Sequence, residues 1–336
     1  MNSNPYIVAE ISCNHRGVLD EALRLIEHAK WAGADAVKFQ CWSPTRMCVD
    51  KSYVIPDGTW KGRKLYELYQ EAYTPWEWFN ALFFHADRLK IDCFSSVFDV
   101  EALAFLESLG CPRYKIASFE ITDLPLIRAV AKTGKPIVIS TGMASWDEIR
   151  KAVVATEQKA TFLKCTSAYP ASTAAANLET LVAMKYNTGT PVGVSDHTLG
   201  LAVPVAATAL GATMIEKHLT LKRSNGGPDA AFSSEPEEFK AMVDACREAA
   251  LAIGEVRYGP TKEEQSSLQF RRSLYWAKDI NPGEIITEHH LVSSRPMQGV
   301  PPDAAVHLIG KIARRPGYAN DPVTGSYDPV AGVWLR

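Results

Sequence analysis

Two histidines, His197 and His218, each close a short β-rich run, in Ser195-Asp196-His197 and Glu216-Lys217-His218. Two neutral imidazoles with room beside them for water or substrate oxygens suit a catalytic Mn, Fe, Co or Zn ion. They suit Mg less and Ca poorly. A pair of hydrogen-bonded structural histidines is the plainer alternative, and the residues alone leave both open. Lys38 and Lys115 sit in Val37-Lys38-Phe39 and Tyr114-Lys115-Ile116, where apolar neighbours make them poor surface lysines. With hydroxyls from Ser95-Ser96, Ser118, Ser140-Thr141, Thr166-Ser167 and Ser195 they form a site for phosphate or carboxylate, each ammonium supplying charge and three donors. Gln40, two residues after Lys38, shares its strand face, and Glu10 ends the first such run. His15 follows in a loop. His28, His85, His289, His290 and His307 show no metal-like arrangement.

Because all these residues end β-rich runs, a repeating unit must position them. The runs cover 6–11, 36–40, 92–98, 113–116, 136–140, 161–166, 192–195 and 214–218. Helical patterns alternate with them, at 19–32, from 75, and at 100–109, 124–132, 146–158, 178–186, 201–210 and 236–252. Short β runs separated by helices predict parallel βαβ units. Eight in succession fit an α/β fold of the (β/α)8 TIM-barrel type better than an open sheet, with the chemistry at the C-terminal strand ends. The connection from Cys41 to Thr74 is unusually long and aromatic, with Tyr53, Trp60, Tyr66, Tyr69 and Tyr73. It reads as a lid or binding loop, or as an inserted helix at 65–72 packed on the rim.

After Gly254 the βα rhythm stops. The expected division is a catalytic barrel over 1–260, a polar linker over 261–270, and a small β-rich domain over 271–336. A domain of that size is near the lower limit for independent stability. The whole chain has 336 residues, 46% of them hydrophobic, and a formal net charge of −2. That balance argues against a basic nucleic-acid-binding face. No run approaches the roughly 18 apolar residues of a membrane span, and Met1-Asn2-Ser3-Asn4-Pro5 lacks the features of a signal peptide. Seven cysteines, none in a Cys-x-x-Cys pair, fit small core residues in a reduced cytoplasmic enzyme.

The residues also fall into ordered blocks. Ile7-Val8-Ala9-Glu10-Ile11-Ser12-Cys13-Asn14-His15, Gly33-Ala34-Asp35-Ala36-Val37-Lys38-Phe39-Gln40, Tyr114-Lys115-Ile116-Ala117-Ser118, Ser140-Thr141-Gly142-Met143, Ser195-Asp196-His197-Thr198 and Ile215-Glu216-Lys217-His218 resemble the nonulosonic (sialic) acid synthases. The likeness runs from about Pro5 to Lys311. It implies a barrel followed by an antifreeze-protein-like (SAF) domain, whose opening Arg271-Arg272-Ser273-Leu274 and Val292-Ser293-Ser294-Arg295-Pro296 resemble. Ser118-Phe119-Glu120-Ile121-Thr122 and Gly226-Gly227-Pro228-Asp229-Ala230-Ala231-Phe232-Ser233 are most similar to the pseudaminic acid synthases within that family. After Lys311 the usual ending gives way to a Gly/Pro-rich stretch, which puts the last strand of the small domain in doubt.

The resemblance implies condensation of phosphoenolpyruvate with the open-chain aldehyde of an amino sugar. Lys38, Ser96, Lys115, Ser118, Ser140 and Ser195 would then hold phosphoenolpyruvate. His197 and His218 would hold a divalent metal, manganese first, with magnesium or cobalt as alternatives. Glu10 would position or deprotonate water, and Asn14, Gln40, Phe119, Tyr169, Glu216 and Asp229 would lie toward the sugar. Arg295 would reach the active site of a partner chain, which implies a homodimer with swapped C-terminal domains. Other readings are an N-acetylneuraminate or legionaminate synthase, a Schiff-base aldolase on Lys38, Lys115 or Lys217, and a non-catalytic sugar-binding relative.

Overall fold

A computed structural model of the chain describes residues 4–328 and 333–335. These fall into two compact units, which divide between Glu255 and Val256. In the first, eight parallel strands close into a barrel in sequence order. They are β1 Tyr6–Glu10, β2 Ala36–Cys41, β3 Asp92–Val97, β4 Tyr114–Ile116, β5 Ile137–Ser140, β6 Thr161–Cys165, β7 Val192–Asp196 and β8 Met214–His218. The predicted helices follow as α1 Leu19–Trp31, α4 Phe79–Leu89, α5 Val100–Ser108, α6 Leu124–Ala131, α7 Trp146–Ala155, α8 Glu179–Thr188, α9 Ala202–Ala209 and α10 Pro236–Ile253. Between β2 and α4 lie two further helices, α2 Pro44–Met47 and α3 Leu65–Ala72.

Local chemistry sets where the helices begin. Asp99 accepts the N–H of Ala102 at 2.8 Å, Asp123 accepts that of Leu126 at 3.0 Å, and Ser145 with Glu148 forms a capping box. Each satisfies an N–H that the first helical turn leaves without a partner. The outward faces of the strands, with Ile7, Ala9, Val37, Phe39 and Ile116, pack with Leu25, Ile26, Phe79, Leu82, Leu106, Ile127 and Val130 of the helices in one continuous apolar core. The inward face is different. It carries Glu10, Lys38, Ser96, Lys115, Ser140, Ser195 and Glu216, all buried. Strand alternation explains the division, since successive residues point to opposite faces.

The long connection is both an inserted helical element and a cover. Trp42 and Ala72 pack with Tyr69, Tyr73 and Phe98 as a separate cluster that includes Cys13. Val54 and Lys64 form an antiparallel bridge. Between them, at the tip, Trp60 donates its indole N–H to the Pro228 carbonyl at 3.0 Å, and its ring lies 5.5 Å from that of Tyr169.

In the second unit β9 Ser273–Trp276 pairs antiparallel with β10 Leu291–Ser294. Helix α11 Ala305–Leu308 follows, and β11 Ser326–Asp328 pairs antiparallel with β12 Val333–Leu335. Leu274, Val300, Ala304 and Val323 form one small core, and Ile280, Ile286 and Ala313 another. The segment after Lys311 joins this unit through the bridges Ile285↔Ile312, Ile280↔Gly317 and Tyr275↔Pro322. Gly317 is required there: a Cβ would stand 2.4 Å from the Trp276 indole. Residues 329–332 and Arg336 of the Gly/Pro-rich tail lie outside the described residues, as do Met1 to Ser3. No helix among the described residues is long and apolar enough to cross a membrane.

Candidate active site

The strand register gathers the predicted residues at the C-terminal end of the barrel. Glu10 is paired with Lys38 on one side and with His218 on the other, and Ser195 with Glu216. Lys38 forms an ion pair with Glu10 and donates to Ser96 Oγ at 3.0 Å, with Glu216 at 3.8 Å. Lys115 donates to Glu216 Oε1 at 3.2 Å, and Ser195 Oγ to the same oxygen at 2.9 Å. The lysines therefore do not stand as uncompensated cations. Two buried ammonium groups without counter-charges would be too costly in a barrel interior, and Glu10 and Glu216 supply the charges. Glu216 is thereby bonded to Lys115 and Ser195, two of the groups assigned to phosphoenolpyruvate.

These contacts divide the two carboxylates. Burial pushes Glu10 up, and although Lys38 opposes it with a charge and a hydrogen bond, the net displacement is upward. Burial also raises Glu216, but the Lys115 and Lys38 ammonium groups outweigh it and hold the carboxyl at about 2. Two carboxylates a few residues' width apart thus have opposite proton affinities, an arrangement found where one group must exchange a proton and the other must stay charged.

Ser118 and Ser167 form a hydroxyl cradle around Gly142. Ser118 Oγ accepts the Gly142 N–H at 3.0 Å, and a Cβ on Gly142 would fall 2.1 Å from Ser167 Oγ and 2.7 Å from Ser118 Oγ. Ser140 Oγ is buried without a hydrogen-bond partner. A buried hydroxyl left unsatisfied at the C-terminal end of β5 fits an anion-binding role.

The imidazoles of His197 and His218 lie with ring centroids 5.3 Å apart, and the Tyr169 ring is 4.4 Å from that of His197. His197 Nδ1 is 3.0 Å from the Thr166 carbonyl, so by hydrogen-bond pattern Nδ1 carries the proton and Nε2 keeps its lone pair. Cys165 Sγ lies 3.9 Å from the same Nδ1. Burial would raise that thiol, but His197 with Ser118 and Lys115 brings it to about 7. His218 is held well below the ordinary histidine range by burial, His197 and the lysines, and its Nδ1 is buried with no hydrogen-bond partner. Two converging imidazoles, one with an orphaned nitrogen, fit a divalent cation whose other positions are filled by oxygens. Among the described residues no group of three or more His, Cys, Asp or Glu side chains is arranged to hold a metal, so protein ligation would stop at two.

Asp229 Oδ2 is 3.8 Å from His218 Nδ1 and accepts the Ser12 hydroxyl at 2.6 Å. Gln40 Nε2 donates to Glu10 Oε1 at 2.5 Å. Asn14 is anchored through its amide N–H groups, which bond the Leu219 carbonyl and Ser233 Oγ, each at 2.8 Å, while its Oδ1 is buried without a partner. Phe119 is 62% exposed on the 3-10 turn after β4. Arg295 belongs to the second unit and is exposed there. Two residues that composition and spacing did not single out, Ser12 and Glu120, also line the cluster, with Ser167, expected as a rim hydroxyl, and Cys165, expected as a small core residue. Burial raises the Glu120 carboxyl to about 7 in spite of Lys115, and its Oε2 has no partner. The signal for Ser12 and Glu120 was their position two residues after Glu10 and Ser118.

The NeuB family model matches residues 25–258, and the SAF domain model residues 271–326. The pseudaminic acid synthase of Campylobacter jejuni (strain 81-176) is 43% identical over 317 residues, 92% of each chain. That of Helicobacter pylori is 42% identical over 95% of this chain and 96% of its own. The N,N'-diacetyllegionaminic acid synthase of C. jejuni is 37% identical over 92% and 96%. Among solved structures, the N-acetylneuraminic acid synthetase of Leptospira borgpetersenii, in complex with citrate, superposes with a TM-score of 0.73 at 32% identity. The match covers 80% of this chain and 92% of that one. Barrel and C-terminal unit thus match in the order in which the family joins them, and the chain belongs to the NeuB family.

Proposed function

We propose that the chain condenses phosphoenolpyruvate with 2,4-diacetamido-2,4,6-trideoxy-L-altrose and water, giving pseudaminic acid and phosphate. The observation that carries this is the barrel-end cluster in which Lys38, Lys115 and the hydroxyl cradle adjoin Glu10 and the two imidazoles. The relatives named pseudaminic acid synthase are 42–43% identical to the chain, against 37% for that named legionaminic acid synthase, which favours the altrose over other amino sugars.

In this reading Lys38, Lys115, Ser96, Ser118, Ser140 and Ser195 bind the phosphate and carboxylate of phosphoenolpyruvate, and Ser167 adds a hydroxyl beside Ser118. Glu216 keeps both lysines charged and extended toward the ligand. His197 and His218 would hold a divalent cation, manganese by preference, which would supply Lewis acidity to the condensation. Tyr169 packs against the His197 ring and walls that side of the histidine pair. The enol carbon of phosphoenolpyruvate bonds to the aldehyde carbon as the C=O π pair moves to oxygen, and the alkoxide takes a proton from solvent to become a hydroxyl. Water adds to the resulting oxocarbenium-like carbon and gives its proton to Glu10, whose raised affinity suits it to the task. The tetrahedral centre then expels phosphate by C–O cleavage, leaving the keto acid. Glu10, with its negative charge beside that carbon, also steadies the cation before water arrives.

A homodimer, with Arg295 of each chain serving its partner, and a cytoplasmic location alongside phosphoenolpyruvate belong to the same proposal. A Schiff-base mechanism is disfavoured at Lys38 and Lys217, which are ion-paired, since an ammonium cannot attack a carbonyl. At Lys115, paired with Glu216 at 3.2 Å but lowered by burial, borohydride trapping decides. The test is phosphate release from phosphoenolpyruvate with the altrose, N-acetylmannosamine and the legionaminate precursor, each with and without manganese. Release with the altrose alone, abolished by a chelator, is expected. Release with N-acetylmannosamine instead overturns the choice of sugar, and chelator-resistant release with borohydride trapping overturns the mechanism.

A further inference from the structure

Ser12 stands just past the end of β1 with φ +48°. That is the left-handed region, which costs a residue with a Cβ and suits glycine. It is 3% exposed, so its hydroxyl must find partners within the protein. It finds two of opposite kind. Its Oγ donates to Asp229 Oδ2 at 2.6 Å and accepts from Gln40 Nε2 at 3.1 Å. Gln40 spends its other amide hydrogen on Glu10 Oε1 at 2.5 Å. One hydroxyl therefore completes a chain from Glu10, on the first strand, to Asp229, in the loop after the last. The Asp229 oxygen that it bonds is also the one facing His218 Nδ1.

A serine kept only for its backbone would be better replaced by glycine at this φ. The left-handed conformation is tolerated here for the hydroxyl, as strain commonly is where a site needs a particular group. We infer that Ser12 is a positioning residue for the sugar: it fixes the orientation of Asp229 and Gln40, so that the remaining acceptor capacity of the Asp229 carboxylate is directed to a hydroxyl or amide N–H of the amino-sugar aldehyde. This rests on the reaction proposed above and names a residue through which sugar binding is controlled.

The test uses the full-length protein with manganese and compares Ser12→Gly and Ser12→Ala with the wild type in phosphate release. Sugar is varied at saturating phosphoenolpyruvate, and then the reverse. Ser12→Gly should unfold at the same temperature as the wild type or higher, because the backbone cost is relieved. Its kcat/KM for the sugar should fall roughly ten- to a hundredfold, the range covered by loss of one hydrogen bond to a charged acceptor, while the KM for phosphoenolpyruvate stays put. Ser12→Ala should show the same split. Combined with Asp229→Asn, the loss should be well short of the product of the single losses, since Ser12 acts through Asp229. Wild-type sugar kinetics in Ser12→Gly, an equal loss for both substrates, or full independence from Asp229→Asn would each overturn the inference. Failure of the wild type to release phosphate with any of the sugars would overturn the underlying reaction and the inference with it.

Discussion

Lys217 Nζ lies 2.5 Å from Asp196 Oδ2 and 2.5 Å from the Thr198 carbonyl, fully buried behind the barrel wall. The two residues are register partners on β7 and β8, and each immediately precedes a candidate metal-binding histidine. The pair thus joins the strand ends from which His197 and His218 project. Lys217→Met removes one partner and leaves a buried carboxylate uncompensated, a change that costs about 3–5 kcal/mol. Urea unfolding of the barrel should register that loss, and Asp196→Asn in the same chain should restore much of it. A loss under about 1 kcal/mol for Lys217→Met would show that the strand ends hold without the pair.

Gly142 and Gly193 give contrasting outcomes on substitution by alanine. At Gly142 the new methyl meets the hydroxyls of Ser118 and Ser167, which can turn away. Gly142→Ala should fold, with a KM for phosphoenolpyruvate raised about tenfold or more as the cradle is disrupted. At Gly193 the methyl would stand 2.2 Å from the Met214 carbonyl and 2.8 Å from Leu163. Backbone cannot yield so easily, so Gly193→Ala should lower expression and melting temperature instead. Equal effects of the two on stability would contradict the assignment of Gly142 to the cradle.

His15 sets an acid limit on stability. It is fully buried, its Nε2 is 3.1 Å from Thr74 Oγ1 and its Nδ1 accepts the Gly17 N–H. Burial lowers it to about 4. The unfolded chain takes up this proton from about pH 6.5 downward while the folded chain does not, so stability falls as pH drops from about 6.5 to about 4, by up to about 3 kcal/mol. His218, also held neutral, acts in the same direction. His15→Gln should be less stable than wild type at pH 7 but lose about 3 kcal/mol less between pH 7 and pH 4. Parallel stability profiles would rule out His15 as a source of the acid sensitivity.

Glu120 works in the opposite pH direction. With its folded carboxyl at about 7, the unfolded chain releases the proton first as pH rises from about 4.5. Stability is lost over that window, by up to about 3 kcal/mol above pH 7. Glu120→Gln, neutral at every pH, should therefore be more stable than wild type at pH 8 and nearly equal at pH 4.5. An unchanged difference between the two pH values would mean that the carboxyl is ionised in the folded protein.

The barrel was legible because its signal is periodic. Runs such as Ala36–Cys41 and Met214–His218 declare themselves as strands, and their polar last residues mark the rim. The paired lysines and histidines were legible for the same reason, since a charged residue flanked by apolar ones has few places to go. What pattern could not supply was pairing. Nothing local shows that Glu216 meets Lys115 and Ser195, because that depends on which inward residues meet across the barrel. Ser12 escaped notice because its significance lies in a φ angle and in Asp229, far along the chain. Helix α2 was missed because four residues carry no periodicity.

Glu10 and His218 are neighbours across the seam where β1 meets β8. Strand β1 must therefore wait for β8 before its carboxylate has the surroundings described. Until then its buried-to-be charges remain in water and the edges of the growing sheet stay open, a period in which long-range parallel pairing is slow and prone to association. No nascent chain or fragment ending before residue 218 can assemble this centre, so competence arrives late in synthesis and all at once.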